Sequence, residues 1–284
     1  MRNAGTAPEI ARRKVRDGAP PLVMVTAYDT PFARIVDEAG VDVILVGDSV
    51  ANAVLGMKDT LSVGMAEMTH HVAAVARANP QALIVADMPW MSYHIDHAET
   101  LRNAASLIRA GAQAVKLEGG RRRLSTIGAI LDAEIPVMGH LGLTPQSVNA
   151  MGGMHVQARD LESAHRLELD AKALEQAGCF AIVLEGVPEL VAERVTATCH
   201  IPTIGIGAGP SCDGQVLVLH DLLGLSIGEA PKFVRQYADL AGLAKAAVMA
   251  YAEDVRSGNF PGDKETYHAP SALREALANE SDRA

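Results

Sequence analysis

The sequence predicts a single (β/α)8 barrel. Short apolar runs alternate eight times with helix-like stretches along the 284 residues. Such alternation predicts parallel strands joined by right-handed crossovers, and eight units in about 250 residues is the usual size of this barrel. Aromatic residues make up only 4% of the chain, so the core is aliphatic, which favours buried parallel strands under alanine-rich helices. An open doubly wound sheet is the alternative, but no G-x-G-x-x-G turn follows Thr26.

Each predicted strand is a short apolar run that ends at a polar group or at a glycine-rich loop. The strands are predicted at Leu22–Thr26, Val43–Val46, Ala82–Ala86, Gln113–Leu117, Ile135–Met138, Phe180–Leu184, Ile201–Ile206 and Gln215–Leu219. The clearest helices are predicted at Thr30–Ala39, Met65–Ala78, His97–Ala110, Gly120–Ala133, Asp160–Ala177 and Glu189–Thr198. Gly40, Gly111 and Gly178 follow three of these helices, where glycine accepts the left-handed conformation that closes a helix.

The segments before the first strand and after the last strand are expected to belong to the barrel domain, up to residue 265. One domain is predicted over residues 1–265, with an N-terminal helical segment and C-terminal helices in Pro231–Arg256 that cover the barrel. Residues 266–284 are expected to form a mobile tail.

Composition narrows the class of protein. The net charge of −9 argues against a general nucleic-acid binder. No apolar stretch reaches the roughly 18 residues of a membrane span, and Met1–Asp17 lacks the apolar core of a signal peptide. Cys179, Cys199 and Cys212 form no Cys-x-x-Cys pair, which favours reduced thiols. We therefore expect a cytoplasmic protein with neither a nucleic-acid nor a membrane partner.

Acidic residues end three neighbouring strands of the predicted barrel. Asp48, Asp87 and Glu118 follow the second, third and fourth apolar runs. Read alone, the acid in "VILVGDS" (43–49) could be a helix N-cap, the commonest use of Asp at a strand-to-helix turn. In a barrel, however, the carboxyl ends of the strands meet at the mouth where active sites lie. The sequence therefore predicts that the three carboxylates converge.

A cluster of three carboxylates needs a proton or a cation. Two unit charges ~4 Å apart at an effective dielectric near 20 repel by about 4 kcal/mol. Oxygen ligands without cysteine suit Mg²⁺ or Mn²⁺ rather than zinc. We expect Asp48 and Asp87 to bind the metal directly and Glu118 to belong to the same site, either directly or through water.

Three further polar residues are expected at the mouth. Lys116 shares a strand face with Glu118 and is either a structural counter-ion or a clamp for a substrate anion. Glu185, at the rim of a dry core, is either a general base with a raised pKa or a partner for Lys116 or a helix cap. His140 is the second residue of "GHLGLTPQS" (139–147) and is either structural or in contact with substrate.

A metal, a lysine and a base suit one type of reaction. A 2-oxo acid can chelate Mg²⁺ through its keto oxygen and carboxylate while a base removes a proton from the adjacent carbon. The resulting enolate attacks an electrophile. The residues themselves name neither the acid nor the electrophile.

Several long motifs resemble those of the ketopantoate hydroxymethyltransferase family. They are "TAYD" (26–29), "LVGDS" (45–49), "VKLEGG" (115–120), "GHLGLTPQS" (139–147), "IPTIGIGAG" (201–209), "DGQVLVLHD" (213–221) and "PKF" (231–233), over residues 10–268. The resemblance implies a barrel of the phosphoenolpyruvate/pyruvate type. It also implies transfer of a one-carbon unit from 5,10-methylenetetrahydrofolate to 3-methyl-2-oxobutanoate, giving 2-dehydropantoate for pantothenate biosynthesis, with Mg²⁺ and in a large homo-oligomer, typically a decamer.

The resemblance also assigns residues by position. It implies a metal site of Asp48, Asp87 and Glu118 and a proton acceptor at Glu185. It implies substrate contacts from Asp48, Ser49, Asp87 and Lys116, and the position of His140 at a strand end adds that residue to the expected contacts. Three alternatives stay open at this point: another Mg²⁺-dependent lyase or mutase of 2-oxo-acid enolates, a Schiff-base aldolase that uses Lys116, and a barrel that serves only as a binding scaffold.

Overall fold

The computed structural model describes residues 5–226, 228 and 230–281. Eight parallel strands, paired in sequence order, close into a barrel because β8 pairs with β1. The strands are β1 Leu22–Thr26, β2 Val43–Val46, β3 Leu83–Asp87, β4 Ala114–Glu118, β5 Val137–Gly142, β6 Ala181–Glu185, β7 Thr203–Ile206 and β8 Gly214–Leu217. The predicted barrel is confirmed.

The strand ends differ from the prediction at two informative places. β5 continues past Met138 to Gly142 and includes His140. Gly139, which directly follows the predicted end of the strand, is a residue type that weakens strands. Its lack of a side chain has a packing reason, because a Cβ there would lie 2.7 Å from Leu174 Cδ1. The glycine therefore admits a helix side chain against the strand. β8 ends at Leu217 instead of Leu219, whose backbone N–H donates to Thr26 Oγ1 at 3.0 Å as a helix begins.

Helices connect the strands, largely where the sequence predicted them. They are α1 Ala7–Ala11, α2 Thr30–Glu38, α3 Val50–Ala53, α4 Met65–Ala76, α5 His97–Ala110, α6 Leu124–Asp132, α7 Val148–Met151, α8 Leu161–Ala177, α9 Glu189–Thr198, α10 Leu219–Leu223, α11 Leu240–Ser257 and α12 Ser271–Ser281. Asp29, Asp96 and Asp160 cap α2, α5 and α8 by accepting backbone N–H bonds of 2.7–2.8 Å. Gly111 and Gly178 close α5 and α8 in the left-handed conformation, as predicted.

Alternate residues of the strands fill the inside of the barrel. On β4, Ala114 belongs to the interior cluster, and Lys116 and Glu118 continue the same face towards the mouth. The same alternation places Asp87 on the inner face of β3 and Glu185 on the inner face of β6. The opposite strand faces pack against the helices in a second apolar cluster. The barrel thus converts a two-residue period into a ring of polar groups at one end.

The other end of the barrel is closed by a buried ion pair. Lys14 Nζ lies 2.6 Å from Asp213 Oδ2, and both side chains are 2% exposed. Asp213 also accepts hydrogen bonds from the backbone N–H groups of Val15 and Thr203. Since Thr203 starts β7 and Asp213 precedes β8, this pair ties the N-terminal segment to the bottom of the barrel.

The chain divides into two compact units after Tyr237. The second contains α11 and α12, of which α11 confirms the helix expected within Pro231–Arg256. α12 lies in the predicted tail, 266–284, where the helix formers of "SALREALANES" follow Pro270. The domain limits and the mobility of the tail stay predictions. None of the helices in the described part of the chain has the length and apolar character that spanning a bilayer requires.

Candidate active site

The register of the strands brings the predicted site residues into direct neighbourhood. Asp87 pairs with Lys116 across β3 and β4, and Glu118 pairs with His140 across β4 and β5. Glu185 stands opposite Gly142 across β5 and β6. All these residues face the mouth from adjacent strands, so the convergence predicted from the strand ends is present in the structure.

Asp87 is the partner of both a cation and a backbone donor. Lys116 Nζ lies 2.7 Å from Asp87 Oδ1, and both side chains are 5% exposed. The backbone N–H of Asp48 donates to Asp87 Oδ2 at 3.0 Å. Burial lowers the pKa of Lys116, but Asp87, Asp48 and Glu118 outweigh it and raise that pKa to about 12. Lys116 is therefore a fixed positive charge.

Asp48 carries the excess negative charge of the cluster. Burial, followed by repulsion from Asp87 and Glu118, raises its pKa well above the ordinary value, although Lys116 and Gln146 act in the opposite direction. Its Oδ2 accepts a 2.8 Å hydrogen bond from Gln146 Nε2. The carboxylate does not cap α3, where Ser49 holds the N-cap position without a side-chain cap bond. The helix-cap interpretation of "VILVGDS" is therefore wrong for Asp48.

Gln146 holds two of the acids and was not predicted from the sequence. Besides its bond to Asp48, its Nε2 donates to the Met88 carbonyl oxygen at 2.9 Å. Its backbone N–H donates to Glu118 Oε2 at 3.0 Å, and its Oε1 accepts a 2.6 Å bond from Tyr93 OH. A polar amide in the aperiodic stretch "GHLGLTPQS" was the available signal, because such a loop at a strand end lies beside the mouth.

His140 lies between two carboxylates. Its Nδ1 is 3.5 Å from Glu118 Oε1, and its Nε2 is 3.3 Å from Glu185 Oε2. Burial and Lys116 lower the pKa of His140, but the contacts with Glu118 and Glu185 outweigh them and raise it to about 9. The imidazolium is thus the link between the acidic cluster and Glu185. Glu185 is more accessible, with a side chain 16% exposed against 4% for Glu118.

Ser49 pairs with a buried tyrosine. Its Oγ lies 2.8 Å from Tyr28 OH. Burial raises the pKa of Tyr28, so its hydroxyl keeps its proton and can serve as donor or acceptor. Ser49 Oγ therefore has hydrogen-bonding capacity left for a ligand in the cavity it lines.

All the predicted site residues line one cavity of about 970 Å³. Its polar base is formed by Asp48, Ser49, Asp87, Lys116, Glu118, His140 and Glu185. Its other walls are largely apolar and include Leu143, Met154, Val156, Val187, Pro188 and Phe233. The glycine-rich loop after β7 contributes Gly207, at φ +62, against which the Phe233 ring packs: a Cβ there would lie 2.8 Å from Phe233 Cδ1.

The charges at the base fit a divalent cation held by few protein ligands. Three carboxyl groups face Lys116 and His140, and burial, followed by repulsion from Asp87 and Glu118, raises the pKa of Asp48. A cation at Asp48 would favour its ionised form. Among the described residues no three His, Cys, Asp or Glu side chains form a ready cage. The oxygen donors at the base are of the kind that Mg²⁺ prefers, and Mg²⁺ takes one or two carboxylates and fills its other positions with water and substrate oxygens.

Comparison with known sequences gives consistent matches over most of the chain. The model of the ketopantoate hydroxymethyltransferase family matches residues 6–263. The 3-methyl-2-oxobutanoate hydroxymethyltransferase of Methylobacterium sp. (strain 4-46) is 60% identical over 256 residues, which cover 90% of this chain and 89% of that protein. The corresponding protein of Ignicoccus hospitalis is 57% identical over 242 residues, covering 85% and 92%.

Comparison with solved structures shows the fold. A 2,3-dimethylmalate lyase of the PEP mutase/isocitrate lyase superfamily superposes with a TM-score of 0.58 at 19% identity, covering 98% of this chain and 99% of that one. Phosphonopyruvate hydrolase in complex with oxalate and Mg²⁺ superposes with a TM-score of 0.58 at 14% identity, covering 98% and 97%. These similarities agree with the (β/α)8 barrel fold of the chain.

Proposed function

We propose a mechanism from the premise that the chain belongs to the ketopantoate hydroxymethyltransferase family. It transfers a hydroxymethyl group to 3-methyl-2-oxobutanoate, giving 2-dehydropantoate, in pantothenate biosynthesis. The observation that carries the mechanism is the arrangement of a carboxylate cluster, a fixed lysine cation and an accessible glutamate around one cavity.

The 2-oxo acid binds at the polar base of the cavity. Lys116 holds an anionic oxygen of the substrate, since its raised pKa keeps it charged. The Ser49 hydroxyl donates a hydrogen bond to the substrate carboxylate while Tyr28 OH donates one to Ser49 Oγ. His140, charged between Glu118 and Glu185, holds the carboxylates in place from the β5 side.

Mg²⁺ is the proposed cofactor, with Asp48 and Asp87 as ligands and Glu118 in the same site. The support is the charge excess centred on Asp48 and the all-oxygen character of these groups. A structural relative of the same fold was solved with oxalate and Mg²⁺, and oxalate is a planar dianion similar in shape to a 2-oxo-acid enolate. When bound, the metal supplies a Lewis acid that polarises the keto group. Gln146 keeps Asp48 oriented for this role.

Glu185 is the proposed general base. Its carboxylate takes the proton from C3 of the acid, and the C–H electron pair becomes the C2–C3 double bond of the enolate as the keto π pair moves to oxygen. His140 beside Glu185 Oε2 steadies the carboxylate before transfer. C3 then forms a bond to the methylene carbon of 5,10-methylenetetrahydrofolate, the proposed donor, as one of the two C–N bonds of that carbon breaks. Water adds the hydroxyl group as the second C–N bond breaks, and the two nitrogens of the departing tetrahydrofolate take up the proton held by Glu185 and one proton of the water.

One assay tests this function directly. Product formation is measured from 3-methyl-2-oxobutanoate and methylenetetrahydrofolate with Mg²⁺, and again with EDTA. The proposal expects 2-dehydropantoate only with the metal. Formation of the product in EDTA would contradict the metal assignment, and a lyase or mutase would instead cleave or rearrange an acid without using the folate.

A Schiff-base aldolase is the chemical alternative that the structure disfavours. A nucleophilic amine must lose its proton, whereas the pKa of Lys116 is raised to about 12. Borohydride with the 2-oxo acid is therefore expected to leave Lys116 unmodified, as judged by intact mass. Covalent trapping at Lys116 would contradict the enolate mechanism.

The setting of the enzyme is also proposed from its family. We propose a large homo-oligomer, typically a decamer, in the cytoplasm, with small-molecule substrates and neither a nucleic-acid nor a membrane partner. Cys179, Cys199 and Cys212 are buried free thiols, in keeping with a reducing compartment. Light scattering behind size-exclusion chromatography gives the oligomer mass, and a monomer of 29.9 kDa would contradict the proposal.

A further inference from the structure

The cavity is much larger than the small 2-oxo acid requires. Its volume of about 970 Å³ lies at the upper end of the roughly 300–1,000 Å³ that ligand pockets span. The acid needs only the polar base, where Lys116 and the acidic cluster lie. On the side of the loops that follow β5 and β6, the remaining volume is bounded by apolar side chains, such as Leu143, Val156 and Pro188, while Glu189, Asp221 and Lys232 line other parts of it.

A second cavity of about 620 Å³ adjoins this apolar part. Met154, Val156 and Pro188 line both cavities, so the two adjoin along these side chains, and together they are called the groove. The other lining residues of the second cavity are His155 and Arg159. The groove therefore runs from an acidic base, past an apolar middle, to a basic outer end.

The loop that carries the basic end is held in a defined conformation. The backbone N–H of Gln157 donates to the Gly186 carbonyl oxygen at 2.9 Å, directly beyond Glu185 on the chain. Ala158 is buried at a positive φ of +57, which a non-glycine residue adopts only where the surrounding structure holds it. His155 Nε2 donates to the Gly152 carbonyl oxygen at 3.2 Å. The basic end is thus anchored to the strand end that bears the proposed base.

Arg159 is exposed, and its guanidinium makes neither a hydrogen bond nor an ion pair with any residue that the structure describes. Its acidic neighbour Asp160 is already engaged, because its carboxylate accepts the Ser163 N–H as the cap of α8. A cation free of partners at the end of an apolar groove matches a ligand whose far end is anionic.

We propose that the outer groove binds the donor co-substrate, with Arg159 recognising the carboxylates of its glutamyl tail. The inference rests on the proposed folate donor. A folate has the required sequence of parts: a ring system that carries the one-carbon unit, an apolar aminobenzoyl segment and an anionic glutamate end. The one-carbon unit lies towards Glu185, the aminobenzoyl ring lies along Met154, Val156 and Pro188, and the tail reaches Arg159.

Truncating the Arg159 side chain and, separately, the glutamyl tail of the donor tests this contact. The donors are the methylene derivatives of tetrahydropteroate, which lacks glutamate, of tetrahydrofolate, and of tetrahydrofolate triglutamate. For the two glutamyl donors, Arg159→Ala is expected to lower kcat/KM about two- to fivefold, chiefly through KM, as for an exposed ion pair. Arg159→Lys should retain most of the activity, and added salt should reduce the difference between the proteins.

Tetrahydropteroate separates recognition from structure. With this donor, Arg159→Ala and the unmodified enzyme are expected to show the same kcat/KM, because the group that Arg159 contacts is missing. Arg166→Ala, a matched loss of charge on the exposed side of α8 outside both cavities, is expected to behave as the unmodified enzyme with every donor.

Two different failures can be told apart. An equal loss with all three donors, or no loss with any, would overturn the role of Arg159 while the folate function stands. Failure of the unmodified enzyme to use any folate, beside continued deuterium exchange at C3 of the acid, would overturn the donor assignment and this inference with it.

Discussion

Replacing Gln146 by methionine keeps the length of the side chain and removes its hydrogen bonds to the acidic cluster. Three bonds are lost: the donor to Asp48 Oδ2 at 2.8 Å, the donor to the Met88 carbonyl oxygen at 2.9 Å, and the acceptor for Tyr93 OH at 2.6 Å. The backbone bond to Glu118 remains. The variant therefore isolates what the amide group contributes.

The size of the effect follows from the partners. A buried hydrogen bond to a charged group contributes about 1.5–3 kcal/mol and a neutral one about 1 kcal/mol, so the loss is about 4 kcal/mol of unfolding free energy. At about 2–4 °C per kcal/mol for a chain of this size, Tm falls by roughly 8–16 °C. Tyr93→Phe removes one of the three bonds and also the acceptor of the Glu118 backbone N–H at 3.2 Å, so it is expected to cost about 2 kcal/mol, half as much.

The functional effect runs through Asp48. The bond from Gln146 lowers the pKa of Asp48, so its loss raises that pKa further and lets protons compete with the metal. Gln146→Met is expected to need about tenfold more Mg²⁺ for half-maximal activity, and the excess is expected to be larger near pH 6 than near pH 8.5. Activity is titrated with Mg²⁺ at both pH values, alongside thermal unfolding. An unchanged Mg²⁺ requirement, with Tm lowered as expected, would refute the positioning role of Gln146.

Three further predictions concern charge. Asp48→Asn should lower Mg²⁺-dependent turnover at least about a hundredfold. It should leave stability against urea equal or higher, because it removes repulsion in the cluster. Comparable losses of turnover and of stability would restore a structural role for Asp48. The pKa of His140 is raised to about 9 from 6.5, so its charge adds about 3 kcal/mol to the free energy of unfolding. This contribution is fully present below pH 6.5 and is lost as the pH rises through 9. Urea titrations in EDTA should show the loss, and a His140→Gln variant with the same pH slope would contradict it. Lys14→Met leaves Asp213 buried without its cation and should destabilise by about 3–5 kcal/mol, while kcat/KM at low temperature stays near normal; a selective loss of activity would show that the bottom of the barrel acts on the site.

The strand ends could be predicted because the barrel obeys a simple period. Two-residue alternation places Lys116 and Glu118 on one face, and the parallel order of the strands brings Asp87 beside them, as the register confirms. The seven predicted site residues line one cavity for the same reason. Their catalytic and ligand roles stay proposals until they are measured.

What the sequence could not provide depends on contacts between distant loops. Gln146 reaches Asp48 across 98 positions of the chain, and no local pattern specifies which loop residue crosses the mouth. The same holds for the charge of His140, which depends on Glu118 and Glu185 from the neighbouring strands. The glycine at 139 ended the predicted β5 too early, because only the packed helix reveals why a side chain is missing there.

The central claim is that Glu185 removes the C3 proton of the 2-oxo acid. Deuterium exchange at C3 of 3-methyl-2-oxobutanoate, followed by NMR with Mg²⁺ in D₂O, measures that step alone. The account predicts that Glu185→Gln exchanges at least about a hundredfold more slowly than the unmodified enzyme. Glu193→Gln, the same change at an exposed position of α9 outside the cavity, is the matched control and is expected to exchange at the normal rate. Equal exchange by Glu185→Gln and the unmodified enzyme would contradict the base assignment.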